Sequence, residues 1–133
     1  EVNEAVWALR EALTRDIHFS MVEGTPGPAF FAHVIAETGR YLAPLAKVPV
    51  GAPLAYLIAP PTEAMVALDA ALKAADVQLA TFFGPPTETN FAGAYLTGAL
   101  PDVEAAAQAF TDAVVAVAQR PLAGLVRPER ERR

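Results

Sequence analysis

The polar side chains best able to bind small molecules gather in one short stretch of this 133-residue chain, Thr87–Asn90 (TETN). Pro85 and Pro86 stiffen the approach to this stretch, and Gly84 and Gly93 lie on either side of it. A carboxylate flanked by hydroxyls and an amide can bind water, cations or small polar solutes. The stretch Thr87–Asn90 holds no nucleophile paired with a base. The stretch therefore predicts the lining of a passage or pocket, not a centre for covalent chemistry.

Two other places hold reactive groups, and neither completes a site. Ser20, the only serine, lies two residues from His18, so both would share one face of a strand, but no oxyanion-hole motif surrounds them. His33 and Glu37 would share one face of a helix, which provides only two metal ligands. The chain has no cysteine, which excludes thiolate metal sites and cysteine nucleophiles. The sequence predicts no catalytic residue, no metal site, no cofactor and no enzyme.

Composition indicates burial between chains. Hydrophobic residues make up 53% and charged residues 19%, which is more apolar than a typical soluble monomer. The net charge of −5 divides unevenly, because five arginines and two glutamates give the last 14 residues +3 and leave −8 on the body. An acidic body argues against nucleic-acid binding. No apolar run approaches the ~20 residues of a membrane helix, so we expect no membrane partner and a cytoplasmic location.

The first part of the chain predicts alternating helices and strands. An amphipathic helix is expected over Val2–Thr14, with Val6, Leu9 and Leu13 on its apolar side. A short strand is expected over His18–Val22, before a run of glycine and proline. The spacing of Phe30 and Val34 then predicts a helix over Ala29–Thr38, ended by Gly39. The proline-rich segment that follows is predicted to be a connector.

The second part is more regular. Strands are predicted over Leu54–Ala59, Val77–Phe83 and Phe91–Thr97, the last two joined by the loop Gly84–Asn90. A helix is predicted over Thr62–Ala75, and another begins at Pro101. The predicted inward residues are Met65, Leu68, Leu72 and Ala75 in the first helix and Val103, Ala107, Phe110, Val114 and Val117 in the second.

From Leu54 onward the order is β-α-β-β-α, a ferredoxin-like unit without its last strand. The only spare strand candidate is His18–Val22, so that segment is predicted to fill the vacant place from earlier in the chain. The fold class is therefore α+β, a circularly permuted ferredoxin-like domain of order βαβαββα. Its helices are expected to pack on a four-stranded antiparallel sheet.

Two long strings carry a resemblance to a known family: APPTEAMVALDAALKAADVQLAT at 59–81 and PPTETNFAGAYLTG at 85–98. They resemble the C-terminal domain of the tandem-domain shell subunits of ethanolamine-utilisation microcompartments. The resemblance is strongest from Phe30 to about Arg120, and it implies the same permuted fold. It also implies three parts: a helix over 1–15 left from a preceding shell domain, a shell domain over 16–120, and an arginine-rich, flexible tail over 121–133.

The resemblance implies a structural role in a bacterial microcompartment shell in the cytoplasm. Subunits of this family self-assemble into hexagonal trimers or pseudohexamers and meet other shell proteins, and small metabolites cross a central pore. The hairpin loop would rim that pore, and a ring of Glu88 carboxylates would favour cations. Gly84 and Gly93 could act as hinges of the loop. The pore-lining residues would be Gly84, Pro85, Pro86, Thr87, Glu88, Thr89, Asn90 and Phe91.

Two alternatives remain open from the residues. The loop could be an ordinary exposed hairpin tip with no symmetry axis nearby. The domain could also be a ferredoxin-like regulatory module that binds a small amine or amino acid between subunits.

Overall fold

The computed structural model describes residues 2–16, 18–24, 29–85 and 87–120. These residues form four helices and five strands. In chain order they are α1 (Val2–Asp16), β1 (Ser20–Met21), β2 (Ala29–Ile35), α2 (Leu42–Ala46), β3 (Leu54–Ala59), α3 (Pro61–Ala74), β4 (Val77–Phe83), β5 (Ala92–Gly98) and α4 (Leu100–Gln119). The predicted tail over 121–133 lies outside the described residues. None of the described helices is long and apolar enough to cross a membrane.

The strands form one antiparallel sheet in the order β1-β2-β3-β5-β4. The last four of these have the strand order of a ferredoxin-like unit whose final strand comes first in the chain. The α+β class and the permutation are therefore confirmed. The sheet has five strands instead of the predicted four, because β1 pairs with the outer edge of β2.

The prediction of a helix over Ala29–Thr38 is wrong, since residues 29–35 form β2. Phe30 and Val34 are four residues apart, a spacing that fits one face of a helix and one face of a strand equally well. The free edge of β3 favours the strand, because residues 31–35 pair with it. The pairing runs from Phe31 opposite Ile58 to Ile35 opposite Leu54. Consequently β2, not the segment His18–Val22, takes the place of the missing final strand.

Helices α3 and α4 pack side by side against one face of the sheet. In α4 the predicted residues Val103, Ala107, Phe110 and Val114 are buried, while Val117 is half-buried. Of the inward residues predicted for α3, Leu68 is buried and Ala75, directly after the helix, is half-buried against the core, but Met65 and Leu72 are exposed. The buried side of α3 consists instead of small residues around Leu68, which let α4 approach closely: Ala64, Ala67 and Ala71.

Half of the opposite sheet face is covered by the segment between β2 and β3, which contains α2. Ala43 and Ala46 pack there against Leu54. Hydroxyl groups fix the segment: Thr81 Oγ1 donates to the carbonyl of Ala46 at 3.0 Å, and Thr97 Oγ1 donates to the carbonyl of Pro53 at 2.7 Å. The predicted connector is thus a folded cover that leaves the other half of this face open.

Helix α1 confirms the predicted amphipathic helix, but its apolar side faces solvent. Val6, Trp7 and Leu9 are all exposed, and the Arg10 guanidinium lies 5.6 Å from the centre of the Trp7 ring.

Candidate functional site

The loop between β4 and β5 is a tight, hydrogen-bonded turn. Thr87 Oγ1 donates to the carbonyl of Phe91 at 2.6 Å, and the backbone N–H of Asn90 donates to the carbonyl of Thr87 at 3.2 Å. Asn90 has a φ of 59°, in the left-handed region that asparagine tolerates better than most residues. Two hydrogen bonds within residues 87–91 therefore stabilise the conformation of the turn.

The predicted polar residues lie where the sequence placed them, at the tip of the hairpin. Glu88, Thr89 and Asn90 are exposed, whereas Thr87 and Phe91 are half-buried. Pro86 lies outside the described residues. The loop thus presents one carboxylate, one hydroxyl and one amide to solvent.

A pocket of about 510 Å³ lies beneath this loop, on the open half of the sheet face away from α3 and α4. Its rim is polar and its floor is apolar. The rim is formed by Thr87, Glu88 and Thr89, and the floor by Phe19, Tyr56, Ile58, Phe83, Phe91, Ala92 and Tyr95.

The aromatic side chains of the floor contact one another across four chain segments. Tyr56 and Tyr95 lie directly opposite on β3 and β5, with ring centroids 4.8 Å apart, and Phe83 meets Tyr95 edge-on at 4.9 Å. Phe19 lies 6.1 Å from Phe91, which joins the segment before β1 to the loop. Such tilted and edge-on pairs are the geometries that aromatic rings prefer, so the floor is firmly packed.

The Tyr95 hydroxyl is held in its neutral form. Burial, together with the smaller effects of the charge and the hydrogen bond of the Tyr56 side chain, raises the pKa of Tyr95 to about 12. Glu88 is the only acidic side chain among the described residues that line the pocket.

Relatives of this chain are shell proteins. The chain is 45% identical over 122 residues to the bacterial microcompartment shell protein EutL of Escherichia coli K12, an alignment that covers 92% of the chain. Its structure matches that of the ethanolamine utilisation protein EutL from Leptotrichia buccalis with a TM-score of 0.81 and 49% identity, again over 92% of the chain. This chain is a homologue of the microcompartment shell protein EutL. No family model matches it.

The homology covers only part of EutL. The chain spans 56% of the length of the Escherichia coli protein and 56% of the Leptotrichia buccalis chain. A weaker likeness extends to the fused permuted hexameric shell protein of the RMM microcompartment, with 28% identity, a TM-score of 0.60, and coverage of 68% of this chain and 48% of that one. The predicted resemblance to permuted shell domains is confirmed.

The aromatic floor of the pocket was not predicted from the sequence. Tyr56, Phe83 and Tyr95 lie on three different strands, and nothing in the local pattern joins them. The available signal was alternation: on β3 and β5 the residues facing α3 and α4 are small or aliphatic, while the aromatic residues alternate with them.

The two weaker candidate sites centre on His18 and His33. His18, with the proton on Nδ1, donates to the carbonyl of Phe19 at 3.1 Å, so its ring is engaged locally. His33 lies in β2, so the predicted helical pairing with Glu37 is wrong. Across the described ranges, no group of three histidine, aspartate or glutamate residues is arranged to hold a metal ion.

Gly93 is not a hinge, contrary to the prediction for the two glycines beside the loop. It lies inside β5, between β3 and β4, where an added Cβ would be 1.9 Å from the carbonyl oxygen of Leu57. At Gly84 an added Cβ would meet only the end of the Phe82 ring, at 2.7 Å, which can move. Gly93 is therefore needed for close strand approach.

Proposed function

We propose that this chain is a structural subunit of a bacterial microcompartment shell of the ethanolamine-utilisation type, located in that shell within the cytoplasm. The observation that carries the proposal is identity of 45–49% to EutL across nearly the whole domain. The relatives are named as shell proteins and not as enzymes. These names support a structural role without catalysis for this chain.

The subunit self-assembles into hexagonal trimers or pseudohexamers and meets other shell proteins at their edges. Six copies of this chain, or three copies of a longer two-domain protein, would complete one hexagon. The hexameric state named for the related permuted shell protein supports this arrangement. Further support comes from the apolar side chains that the isolated domain leaves exposed on α3 and β4.

The loop over residues 84–91 rims a central pore for small metabolites. Its exposed tip carries Glu88, Thr89 and Asn90, and repetition around an axis would turn one carboxylate into a ring of negative charge. Such a ring attracts cations and slows anions. The hydroxyl and amide groups would exchange hydrogen bonds with water and polar solutes during passage.

The helix over residues 1–15 packs against a preceding domain of similar fold. Its exposed apolar residues Val6, Trp7 and Leu9 support this, because a 15-residue helix is marginal in water without packing. The greater length of the EutL relatives is consistent with such a domain.

Electron microscopy tests the proposed function directly. Purified chain, and a longer protein that contains its natural upstream sequence, should both be imaged for extended hexagonal layers and followed by light scattering. We expect particles of the size of one hexagonal ring, which form extended layers at high protein concentration. Monomers alone, at every concentration and for both proteins, would contradict a shell role.

A second function is favoured by one observation, the aromatic pocket of about 510 Å³ below the loop. A ferredoxin-like regulatory module would bind a small amine or amino acid there, with Glu88 as the counter-charge and Tyr56 and Tyr95 as the apolar floor. It would bind its ligand tightly and saturably and would form no layers. Calorimetry with small amines, combined with the same microscopy, separates the two functions.

A further inference from the structure

The outer side of the segment between β2 and β3 presents apolar side chains to solvent. While the side of α2 that faces the sheet is buried, Tyr41, Pro44 and Leu45 are exposed. These three residues lie three and four positions apart, so they share one side of the helix. Pro49 and Val50, just after the helix, are exposed as well. These five residues form the cover patch.

The cover patch is large for an apolar surface on a domain of this size. Tyr41 is 84% exposed, Leu45 57% and Val50 61%. At about 200 Å² for a tyrosine and somewhat less for the other two, the three side chains leave roughly 350 Å² uncovered. Apolar patches of this extent on soluble proteins are often interaction sites.

Hydrogen bonds at its base hold the segment in place. The backbone N–H of Thr38 donates to the carbonyl of Ala52 at 3.0 Å, and the N–H of Gly51 donates to the carbonyl of Thr38 at 2.7 Å. The hydroxyl of Thr38, which is buried, also donates to the carbonyl of Ala52. A surface that is ordered before binding loses less conformational entropy when a partner docks.

Two cations flank α2 in a domain that is otherwise acidic. Residues 29–119 contain eight acidic residues but only three basic ones. Lys73 is paired within α3, whereas in the part of the chain that the structure describes no carboxylate forms an ion pair with Arg40 or Lys47. Both are exposed, and they lie directly before Tyr41 and directly after the last residue of α2. The surface therefore combines apolar area with positive charge.

Lys47 has a backbone conformation that favours glycine. Its φ is 59° and its ψ 40°, and α2 ends there with two hydrogen bonds. The N–H of Lys47 donates to the carbonyl of Pro44 at 3.3 Å, and the N–H of Val48 donates to that of Ala43 at 3.0 Å. This is the Schellman motif, in which the left-handed residue is most often glycine. The local backbone therefore gives no reason for a lysine, and a contact outside the domain would.

We infer that the cover patch docks a short amphipathic segment of another protein, in which acidic residues border apolar ones. The apolar side chains would pack on Tyr41 and Leu45, and the carboxylates would meet Arg40 and Lys47. Nucleic acid fits less well, because the surrounding domain is acidic and a polyanion would leave the apolar area uncovered. This inference goes beyond the proposed function. In the proposed shell, it would provide a point at which another protein attaches to the wall.

Peptide binding tests the inference with the whole chain. The probe is a fluorescent, alanine-based peptide of about 16 residues, with leucines at i, i+3, i+4 and i+7 and glutamates beside them. Fluorescence anisotropy should show saturable binding that weakens with added salt, and weakens at least tenfold when lysines replace the glutamates. Absence of saturable binding would overturn the inference. Equal or tighter binding of the lysine peptide, or of single-stranded DNA of the same length, would also overturn it.

Substitutions locate the binding surface. Leu45→Gln and Arg40→Gln should each weaken binding of the acidic peptide about tenfold, while circular dichroism stays that of the folded chain. Val66→Gln and Lys73→Gln are the matched controls, because they remove an exposed apolar residue and a cation from α3. Equal affinities in the patch variants and the control variants would overturn the inference.

Lys47→Gly separates a docking role of the lysine from a structural one. Since glycine favours the conformation at this position, the midpoint of thermal unfolding should stay the same or rise, while affinity for the acidic peptide should fall at least threefold. Unchanged affinity would overturn the pairing of Lys47 with a carboxylate. The binding measurement does not require assembly, so a chain that binds the peptide but never assembles would contradict the shell role and leave this inference intact.

Discussion

Glu88 is the residue whose charge should decide what passes the proposed pore. It lies exposed at the loop tip, so Glu88→Gln should remove the charge without loss of fold, and Glu88→Lys should reverse it. We expect the preference for small cations over anions to fall roughly tenfold with glutamine, equivalent to about 1.4 kcal/mol. Flux of charged solutes into reconstituted shells measures this preference.

Glu104→Gln is the matched control for that experiment, because Glu104 is exposed on α4, far from the loop in the chain. If Glu88→Gln shells and wild-type shells had the same preference for cations over anions, Glu88 would not determine the charge selectivity of the pore.

The raised pKa of Tyr95 predicts that the folded domain loses stability at high pH. Its pKa is raised to about 12, mainly by burial, whereas an unfolded tyrosine titrates near pH ~10. Between these values only the unfolded chain gives up the proton, so the stability present below pH ~10 falls as the pH rises, by up to about 3 kcal/mol at pH ~12. Tyr95→Phe should show a flatter decline in urea unfolding measured from pH 9 to pH 11.

Tyr41→Phe serves as the comparison, because Tyr41 is exposed on the segment that covers the sheet. If the free energy of unfolding of Tyr95→Phe fell with pH as steeply as that of the wild-type chain and of Tyr41→Phe, ionisation of the buried phenol would not cause the loss of stability.

The polar half of the candidate site was readable from the sequence, and the apolar half was not. Thr87, Glu88 and Thr89 are neighbours in the chain, so their clustering needs no knowledge of the fold. The floor assembles Phe19, Tyr56 and other aromatic residues from segments that only the sheet brings together. Strand alternation shows that such residues share a face, but it does not show which face stays uncovered.

The central pair β3–β5 depends on Gly93. A Cβ at this position would lie 1.9 Å from the carbonyl oxygen of Leu57, which is backbone and cannot move alone. Gly93→Ala should therefore destabilise the domain by about 3 kcal/mol or more. Chemical denaturation of the variant measures the loss.

Gly39→Ala is the control for that measurement, because nothing lies within 4 Å of a Cβ added there. We expect it to change stability by less than about 0.5 kcal/mol. A Gly93→Ala variant as stable as Gly39→Ala would show that the strands can separate without cost.

Helix α4 depends on Phe110, its largest fully buried side chain. Phe110→Ala would leave a cavity between α4 and the sheet and should cost about 3–5 kcal/mol in the free energy of unfolding. Leu45→Ala, at an exposed position in α2, should cost far less. Thermal unfolding of both variants checks the difference, and similar midpoints would place Phe110 outside the core.

Most elements could be placed from the sequence, and the failures lie where contacts between elements decide the outcome. Strand β3 and strand β4 match their predicted bounds because dense apolar runs end at prolines or glycine. Residues 29–35 were misread because a spacing of four residues satisfies both helix and strand, and only pairing with β3 distinguishes them. The inward face of α3 was misread because packing against α4 selects small side chains at the contact over larger ones at its border.

The whole molecule carries a built-in reporter of the proposed preceding domain. Trp7 is the only tryptophan, and it is exposed on α1. If α1 packs against a preceding domain, the emission of Trp7 should shift to shorter wavelength in a longer protein that includes the natural upstream sequence. Fluorescence of the two proteins, with iodide quenching as a second readout, measures the difference. Equal emission and equal quenching would contradict the proposed preceding domain.

The contact between α3 and α4 has a consequence beyond stability. Because Ala64, Ala67 and Ala71 are buried on α3, the two helices lie close together. A bulkier residue there would push the helices apart and widen only that side of the domain, turning a slab into a wedge. In the proposed shell wall, small changes of this kind would accumulate into curvature, so three alanines would help to set the radius of the compartment.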